Sequence, residues 1–446
     1  MSINVSVTRV FETVVLLAVI LPSAPLAAQP SSDVAAETVQ TEATIPEAEA
    51  SDLWGRKLIT GDWDGARTAM EDWGLTLSLS YQHVYQVNMH GGLQTSNGHD
   101  IGGSYILGLE LDFEKLFELQ GGSFFMETKG TYGGDSNDFD ARKVGGLFKT
   151  NQIADTDEWI FVNKWWYRQR LHDDRVEIRL GVIESFKDLI DTNTIAGSDE
   201  DQFTNRMLVG NPTIPHTNAL GAYLNVWPTD WLYVRAMVVD PERTARTTGF
   251  DTGLHGSANV RTFGELGLVP EIDSPNGKLL GHYRFGTWYD PVEKSEFRNT
   301  FGGLLATQTA TGDWGFYFGF DQVCWKENPD PSDHQGLSIF ARYGYAHDDV
   351  NRFEQFWSLG GQITGLVEGR DDDRLGLGFA QAIQSDEYKD AINPRANRET
   401  VYELYYAYQL TPWCVITPDL QFITNPGGDK DDDDAFVAGV RVRLWF

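Results

Sequence analysis

From Leu75 onward, apolar and polar residues alternate along the chain with a period of two. The apolar positions of the first such segment are Leu75, Leu77, Leu79, Tyr81, Tyr85 and Val87. Those of the last segment are Phe436, Ala438, Val440, Val442, Leu444 and Phe446. Because successive side chains of a β-strand point to opposite faces, this period predicts strands with one apolar and one polar face.

The lengths of the connections separate a barrel from a β-sandwich, which shows the same alternation. Roughly sixteen strand segments can be counted, and long connections alternate with short ones. Tight connections are expected at residues 172–175, 228–230 and 411–413, and long ones at 133–158, 183–218 and 240–261. Outer-membrane barrels place long loops outside the cell and short turns in the periplasm. The sequence therefore predicts an all-β fold, a transmembrane antiparallel β-barrel of about sixteen strands.

The N-terminal residues differ in composition from the rest. Residues 1–28 carry Arg9, an apolar run and the small residues Ala27 and Ala28, which predicts a cleaved signal peptide and export. Residues 29–51 are rich in Ala, Glu, Thr and Ser and have no aromatic residue, which predicts a disordered acidic periplasmic linker. The barrel domain is expected to span residues 52–446.

The charge of the chain limits its partners. Asp and Glu number 65 and Lys and Arg 35, so the net charge is −30. Such a chain would repel the phosphates of nucleic acids, so no nucleic-acid partner is expected. The two cysteines, Cys324 and Cys414, share the parity of outward apolar residues and are too few for a disulfide framework, so two unpaired thiols are expected.

Several tryptophans lie beside predicted periplasmic strand ends, where an amphipathic ring suits the membrane–water interface. They are Trp227, Trp231, Trp325, Trp413 and Trp445. The chain ends on Phe446, and a C-terminal aromatic residue on the last strand resembles the recognition signal of outer-membrane barrels.

Charged residues on the polar parity are candidates to line a water-filled lumen. They are Glu110, Glu127, Lys129, Arg179, Arg235, Arg284, Arg342, Glu403, Asp419, Arg441 and Arg443. Arginine–carboxylate pairs offer donors and acceptors in fixed directions, which can replace the hydration of sugar hydroxyls. The same pairs would also simply stabilise the barrel wall, and the sequence leaves both roles open.

Signals for catalysis and cofactors are weak. The histidines lack the spacing of zinc-protease motifs, and no G-x-S-x-G element supports a serine nucleophile. The acidic run 429–434 lacks the ligand spacing of a calcium loop and is interpreted as a solvated loop. No catalytic residue, cofactor or metal is therefore expected. A barrel-embedded hydrolase, a general or ion-selective porin and a secreted all-β sugar-binding or sugar-cleaving protein remain as alternatives.

Several motifs resemble the carbohydrate-selective porin family of the OprB type. They are GDWDGAR at 61–67, NPTIP at 211–215, GRDDDRLGLG at 369–378, ETVYELYY at 399–406, LTPW at 410–413, PDLQ at 418–421 and NPGG at 425–428. The resemblance runs from about Trp54 to Phe446. It implies a monomeric sixteen-stranded barrel with a short N-terminal periplasmic helix, in contact with outer-membrane lipid of the Gram-negative type. It also implies diffusion of small sugars, glucose-like monosaccharides above all.

Overall fold

A computed structural model gives the architecture of most of the chain. It describes residues 52–133, 139–152, 159–184, 189–198, 200–216, 218–241, 259–297, 309–330 and 332–446. The predicted signal peptide and linker, residues 1–51, lie outside the described residues and stay predictions.

Antiparallel strands make up most of the described residues. The strands are β1 Leu75–His90, β2 His99–Asp112, β3 Gly122–Gly133, β4 Phe161–Leu171, β5 Val176–Glu184, β6 Asn218–Thr229, β7 Leu232–Val239, β8 Arg261–Leu268, β9 Glu271–Ser274, β10 Gly277–Asp290, β11 Lys294–Ser295, β12 Thr309–Ala310, β13 Asp313–Lys326, β14 Gly336–Ala346, β15 Phe353–Thr364, β16 Arg374–Gln384, β17 Arg398–Thr411, β18 Cys414–Thr424 and β19 Ala435–Trp445. The short hairpin of β11 and β12 stands apart, and all other strands belong to one sheet.

The sheet closes on itself. Successive strands pair from β1 to β8 and from β13 to β19, and β10 pairs with both β8 and β13. β1 also pairs with β19, so that Tyr81 lies opposite both Tyr105 of β2 and Leu444 of β19. Strands β8 and β9 both pair with β10 and occupy one strand position, which leaves sixteen positions around the barrel. The prediction of an antiparallel barrel of sixteen strands is confirmed.

The period of two corresponds to an outer and an inner face. In β19, Val440 has 40% of its surface exposed, whereas the next residue, Arg441, has 1%. Glycines on the inner face give room to tyrosine rings of the neighbouring strand: a Cβ on Gly286 would lie 2.0 Å from the Tyr317 ring, and one on Gly267 would lie 1.9 Å from the Tyr233 ring. Small residues on the inner face therefore let large side chains lie flat against the wall.

Helical segments are few and short. The α-helices are α1 Ala66–Trp73, α2 Phe113–Phe117, α3 Arg206–Val209 and α4 Asp386–Ala391. A π-helical turn spans Phe139–Val144, and 3₁₀ turns span Leu53–Gly55 and Pro426–Gly428. The predicted short N-terminal helix is present as α1, which ends at Gly74 in the left-handed conformation, with φ of 105°. Among the described residues, no helix has the length and apolarity to cross a membrane.

Arg67 of α1 joins the N-terminal segment to both edges of the closing pair. Its guanidinium donates to the backbone oxygen of Leu77 in β1 at 3.1 Å and to that of Phe446 after β19 at 3.2 Å. The Trp63 ring stacks on the same guanidinium, 4.3 Å from the ring centroid. The backbone N–H of Ile59 donates to the Trp445 carbonyl at 3.0 Å. The GDWDGAR segment thus contacts the end of the barrel where β1 begins and β19 ends.

The short turns lie at this same end. β4 and β5 are joined by residues 172–175, β6 and β7 by 230–231, and β17 and β18 by 412–413. Trp231 and Trp325 are half exposed near this end, as an interfacial role requires. Trp445 differs from its prediction, because it lies opposite the inward-facing Ser80 and its ring stacks with Arg443 on the inner face. Neither Cys324 nor Cys414 forms a disulfide, as predicted.

We expect the short-turn end to face the periplasm, because long loops of outer-membrane barrels face the exterior. In a chain whose native cysteines are replaced by Ser, Asp230→Cys should resist a membrane-impermeant maleimide on intact cells and react after lysis. Asp386→Cys at the opposite end, where the side chain is 85% exposed, should react on intact cells. Labelling of position 230 on intact cells would reverse the orientation.

The cost of a charge on the outer face should depend on the depth of the substituted residue in the bilayer. Val440→Arg, nearer mid-bilayer, should lower the free energy of unfolding by ~2–4 kcal/mol, and Leu444→Arg near the rim by ~0–1 kcal/mol. Urea titrations of both variants refolded in lipid vesicles measure the difference. Equal and negligible losses would contradict the assignment of the lipid-facing side.

Candidate functional site in the barrel lumen

One connection lies inside the barrel. Residues 189–198 and 200–214, between β5 and β6, are called the lumen loop below. This loop contacts the inward-facing Arg235 of β7, Arg284 of β10, Arg342 of β14 and Arg441 of β19. A single segment can reach strands on so many sides of a barrel only if it lies within the lumen.

Three arginines of the inner wall bind the backbone of the lumen loop. The contacts join Arg235 to the Leu189 carbonyl at 3.1 Å, Arg342 to the Ala196 carbonyl at 2.8 Å and Arg441 to the Gln202 carbonyl at 2.7 Å. The three side chains are buried. Guanidinium groups can satisfy several loop carbonyls because each offers five donors and remains charged when buried.

Two further arginines form ion pairs with the loop. Arg284 lies 3.4 Å from Asp191 of the loop and 2.8 Å from Asp321 of β13. Arg443 pairs with Asp201 at 2.5 Å and with Glu200. Burial alone would raise the pKa of Asp201, but the adjacent guanidinium of Arg443 outweighs it and lowers the pKa below its ordinary value. Asp201 is therefore ionised in the docked loop.

The candidate carboxylates Glu403 and Asp419 also serve the loop. Glu403 accepts hydrogen bonds from the backbone N–H groups of Thr204 at 2.6 Å and Asn205 at 3.0 Å. The Gln421 amide donates to Asp419 and to the Thr204 hydroxyl, both at 2.9 Å. Seven of the residues predicted to line the lumen thus bind the lumen loop or the side chains that hold it.

Glu265 of β8 is a member of this network that the sequence reasoning missed. Its carboxylate accepts from the hydroxyls of Tyr233 at 2.9 Å and Tyr317 at 2.8 Å, from Arg235 at 3.1 Å and from the backbone N–H of Asp191 at 2.8 Å. Four donors saturate a buried carboxylate, so Glu265 anchors the start of the loop. Phe263, Glu265 and Gly267 occupy every second position of β8, and this period of two is the sequence signal that could have placed Glu265 on the inner face.

A second segment, residues 139–152, packs beside the lumen loop and is called the mouth loop. Both Gln86 of β1 and Gln421 of β18 donate to the Thr150 carbonyl, at 3.1 and 2.9 Å. Glu399 accepts from the backbone N–H of Leu147 at 2.7 Å. Burial raises the pKa of Asp140 to about 7, although two hydrogen bonds from Thr150 oppose the shift.

Apolar side chains of the two loops meet in one cluster against the inner face of β14 to β19. Its largest loop members are Phe139, Phe148, Phe203, Met207 and Leu208. This side of the lumen is therefore filled by packed protein.

On the wall formed by β2 to β5, charged side chains pair with one another across strands and, for Glu177 and Arg179, within one strand. We call the group the wall strip; it comprises Glu110, Glu127, Lys164, Arg168, Arg170, Glu177, Arg179 and Glu184. The shortest pairs are Glu177 with Arg179 at 2.6 Å, Glu110 with Arg168 at 3.0 Å and Glu127 with Lys164 at 3.5 Å. The Glu110 side chain keeps 25% of its surface exposed, against 0% for Arg284 under the lumen loop.

The wall strip brings together three of the predicted residues, Glu110, Glu127 and Arg179. Lys129 lies nearer the long-loop end of β3, where it is half-buried and opposite the inward-facing Ile106. Lys164 and Arg168 were missed, although β4 alternates in the same way as β1 and β19. Four acidic and four basic side chains give the strip no net charge.

Two groups of acidic residues lie near the long loops. Ligand atoms of His347, Asp348 and Asp349 lie within 4.8 Å of one another, but all three side chains are partly exposed, as is common without a metal. In the acidic run, Asp429 lies 3.2 Å from Arg395 and accepts from the backbone N–H of Asp431. Lys430, Asp431, Asp433 and Asp434 are exposed, as expected of a solvated loop, whereas Asp429 is buried.

Comparison with known proteins places the chain among porins. The family model described as carbohydrate-selective porin, OprB family, matches residues 99–446. Porin B of Pseudomonas aeruginosa is 25% identical over 423 residues, which cover 87% of this chain and 91% of that protein. The putative porin QuiX of Acinetobacter baylyi is 23% identical over 443 residues, 89% of this chain and 95% of that protein. The high-pH structure of Pseudomonas putida OprB has a TM-score of 0.79 at 22% identity, covering 89% of this chain and all of the other.

The ion pairs of Arg443 can be tested as anchors of the lumen loop. Arg443→Gln removes the ion pairs of this guanidinium with Asp201 and Glu200 and should weaken docking of the loop by about 1–3 kcal/mol. We expect higher single-channel conductance and admission of larger neutral solutes in planar bilayers and swelling assays. Arg395→Gln removes the same charge from a surface pair with Asp429 and should leave both unchanged. Unaltered conductance in Arg443→Gln would show that the other anchors suffice.

Proposed function

Because the chain belongs to the carbohydrate-selective porin family of the OprB type, we propose that it mediates passive diffusion of small carbohydrates across the outer membrane. Glucose-like monosaccharides are the substrates that we propose first. The observation that carries this proposal is the wall strip, a row of mutually paired charges beside a lumen narrowed by two packed loops. Within this row the Glu110 side chain keeps 25% of its surface exposed.

A neutral polyol must exchange bound water for other hydrogen-bond partners when it enters a narrow pore. Paired guanidinium and carboxylate groups offer such partners in fixed directions. Glu110 and Glu127 can accept from sugar hydroxyls, while Arg179 and Lys164 can donate to them. Since the strip has no net charge, it gives a neutral solute no electrostatic disadvantage against ions.

The other candidate residues act on the shape of the passage. We propose that the buried side chains hold the lumen loop in place and so set the narrowest cross-section; they are Arg235, Arg284, Arg342, Glu403, Asp419, Arg441 and Arg443. Lys129 would then contact solutes above the strip. Of the two roles that the sequence left open, the proposal thus gives stabilisation of the lumen loop to some of the predicted residues and contact with sugars to the others.

We also propose how the chain is exported and where it lies in the cell. Residues 1–28 would direct export, and residues 29–51 would lie in the periplasm as a linker. One barrel encloses a whole passage, so we propose that a single chain conducts, in contact with outer-membrane lipid. Diffusion through such a passage needs no catalytic step and no cofactor, and the chain is proposed to act as a channel and not as an enzyme.

A swelling series with glucose, a disaccharide and a trisaccharide in proteoliposomes tests the proposal. We expect glucose to permeate fastest, and faster relative to small ions than in a general porin. Glu127→Gln, which removes one acceptor from the strip, should lower glucose flux about two- to tenfold. Asp386→Asn removes a surface carboxylate and should leave flux unchanged.

The alternative, a general ion-selective porin, makes a different expectation. The net charge of −30 would then give strong cation preference in reversal-potential measurements, with sugar rates that depend on size alone. Insensitivity of glucose flux to Glu127→Gln together with strong cation selectivity would reject the sugar pore in favour of this alternative.

A further inference from the structure

Three polar side chains lie together on the outer face of the barrel. They are Tyr81 and His83 of β1 and Tyr132 of β3, at strand positions whose neighbours on the same face are apolar. His83 stands opposite Val442 of β19, on the same face as the exposed Val440. An imidazole on this face of a membrane barrel has to find its hydrogen bonds within protein, and polar groups in such places mark functional sites.

Exposed apolar and aromatic residues flank this cluster at both ends. Leu79 and Leu107 stand opposite each other on the side of the short turns, and both are exposed. Tyr85 and Ile101 stand opposite each other on the side of the long loops, and both are exposed. The cluster therefore lies within the apolar band of the outer face, away from water and from the lipid head groups at the edges of the band.

The three side chains form one hydrogen-bonded chain with Tyr132 at its centre. The Tyr132 hydroxyl is hydrogen-bonded to the Tyr81 hydroxyl and lies 2.8 Å from Nδ1 of His83. The Tyr81 and His83 rings are nearly parallel to the Tyr132 ring, at 10° and 13°, with centroids 6.0 Å away in both cases. A Cβ on Gly103 of β2 would lie 2.3 Å from the Tyr132 hydroxyl, so the glycine lets this ring lie against the wall. The cluster is thus held in place before any partner binds.

The cluster has one hydrogen more than its two hydrogen bonds use. Two hydroxyls and one neutral imidazole carry three polar hydrogens. If the bonds run from His83 toward Tyr81, the Tyr81 hydroxyl keeps a free hydrogen and Nε2 of His83 a free lone pair. If they run the other way, Nε2–H is the free donor and the Tyr81 oxygen the free acceptor. Among the residues that the structure describes, the side chains at the two ends have no further hydrogen-bond partner.

We infer that the outer face around Tyr81, His83 and Tyr132 is the contact surface between two copies of the chain, related by a twofold axis along the membrane normal. Each cluster offers one donor and one acceptor, so two facing clusters satisfy each other twice: Tyr81 of each copy pairs with His83 of the other. Hydrocarbon offers no acceptor, so lipid acyl chains cannot satisfy the free donor.

The pair of chains differs from the monomer that the family resemblance implies. The contact would be completed by the exposed side chains that flank the cluster, Leu79 and Leu107 below it and Tyr85 and Ile101 above it. Each chain keeps its own passage, so the inference goes beyond the proposed function and leaves it unchanged.

Association of the full-length chain in lipid vesicles, measured by energy transfer, tests the inference. In a chain whose native cysteines are replaced by Ser, Asp386→Cys carries the donor or the acceptor dye outside the barrel. Dilution with lipid then gives the dissociation constant of the pair. His83→Phe and Tyr81→Phe should each raise this constant about tenfold, because each removes both contacts between the copies. Tyr289→Phe removes a hydroxyl from the exposed face of β10 and should leave the constant unchanged.

A mixture of the two variants distinguishes a direct contact from a general loss of stability. A His83→Phe chain keeps Tyr81, and a Tyr81→Phe chain keeps His83. One of the two Tyr81–His83 contacts can therefore re-form between unlike chains, and none between like chains. With the donor dye on one variant and the acceptor dye on the other, the mixture should associate about threefold more tightly than either variant alone.

Each variant is first shown to be folded by its altered migration on gels when it is not boiled. Tyr132→Phe, which removes the central hydroxyl, replaces any variant that fails to fold and should also raise the dissociation constant. Energy transfer no greater than that of randomly distributed chains at every protein-to-lipid ratio would overturn the inference. Equal dissociation constants for the parent, the single variants and the mixture would overturn it as well, because the cluster would then make no contact between copies.

Discussion

The hydrogen bonds between β1 and β19 are the constraint on which the rest of the molecule depends. A sheet in a bilayer has no water to satisfy a free edge, so it must close, and here ten registered residue pairs make the closure. Closure fixes the circumference of the wall. It thereby fixes how far apart inward side chains on different strands can stand, and hence what a loop inside the barrel must span.

Inward-facing arginines have two kinds of partner in this barrel. Where a guanidinium meets loop carbonyls or loop carboxylates, as Arg342 and Arg443 do, it replaces the water that a buried loop backbone would otherwise need. Where it meets carboxylates on neighbouring strands, as Arg168 meets Glu110, it ties strands of the wall to one another. Position relative to the two loops, and not residue type, decides whether an inward-facing arginine binds a loop or the wall.

The strands and the inward placement of many charged residues could be predicted from the period of two in the sequence. Alternation in β1 and β19 placed Arg441 and Arg443 on the inner face, and the lengths of connections predicted the end at which the turns lie. The partners of these arginines could not be predicted, because Gln202 and Asp201 lie about 240 residues away in a segment with no period. The sequence does not distinguish an inward side chain that is buried under a loop from one that is exposed to a water-filled lumen. Trp445 shows in addition that an aromatic residue near the C-terminus can face inward.

The contacts of Arg67 have a consequence for biogenesis. One guanidinium holds backbone oxygens from the first and the last strand, so its full set of partners exists only after those strands have met. The N-terminal segment is translated first, yet it reaches its final place only after the C-terminal residue has arrived. A barrel that is still open is therefore distinguishable at its rim from a finished one, and the docked helix marks completion of assembly.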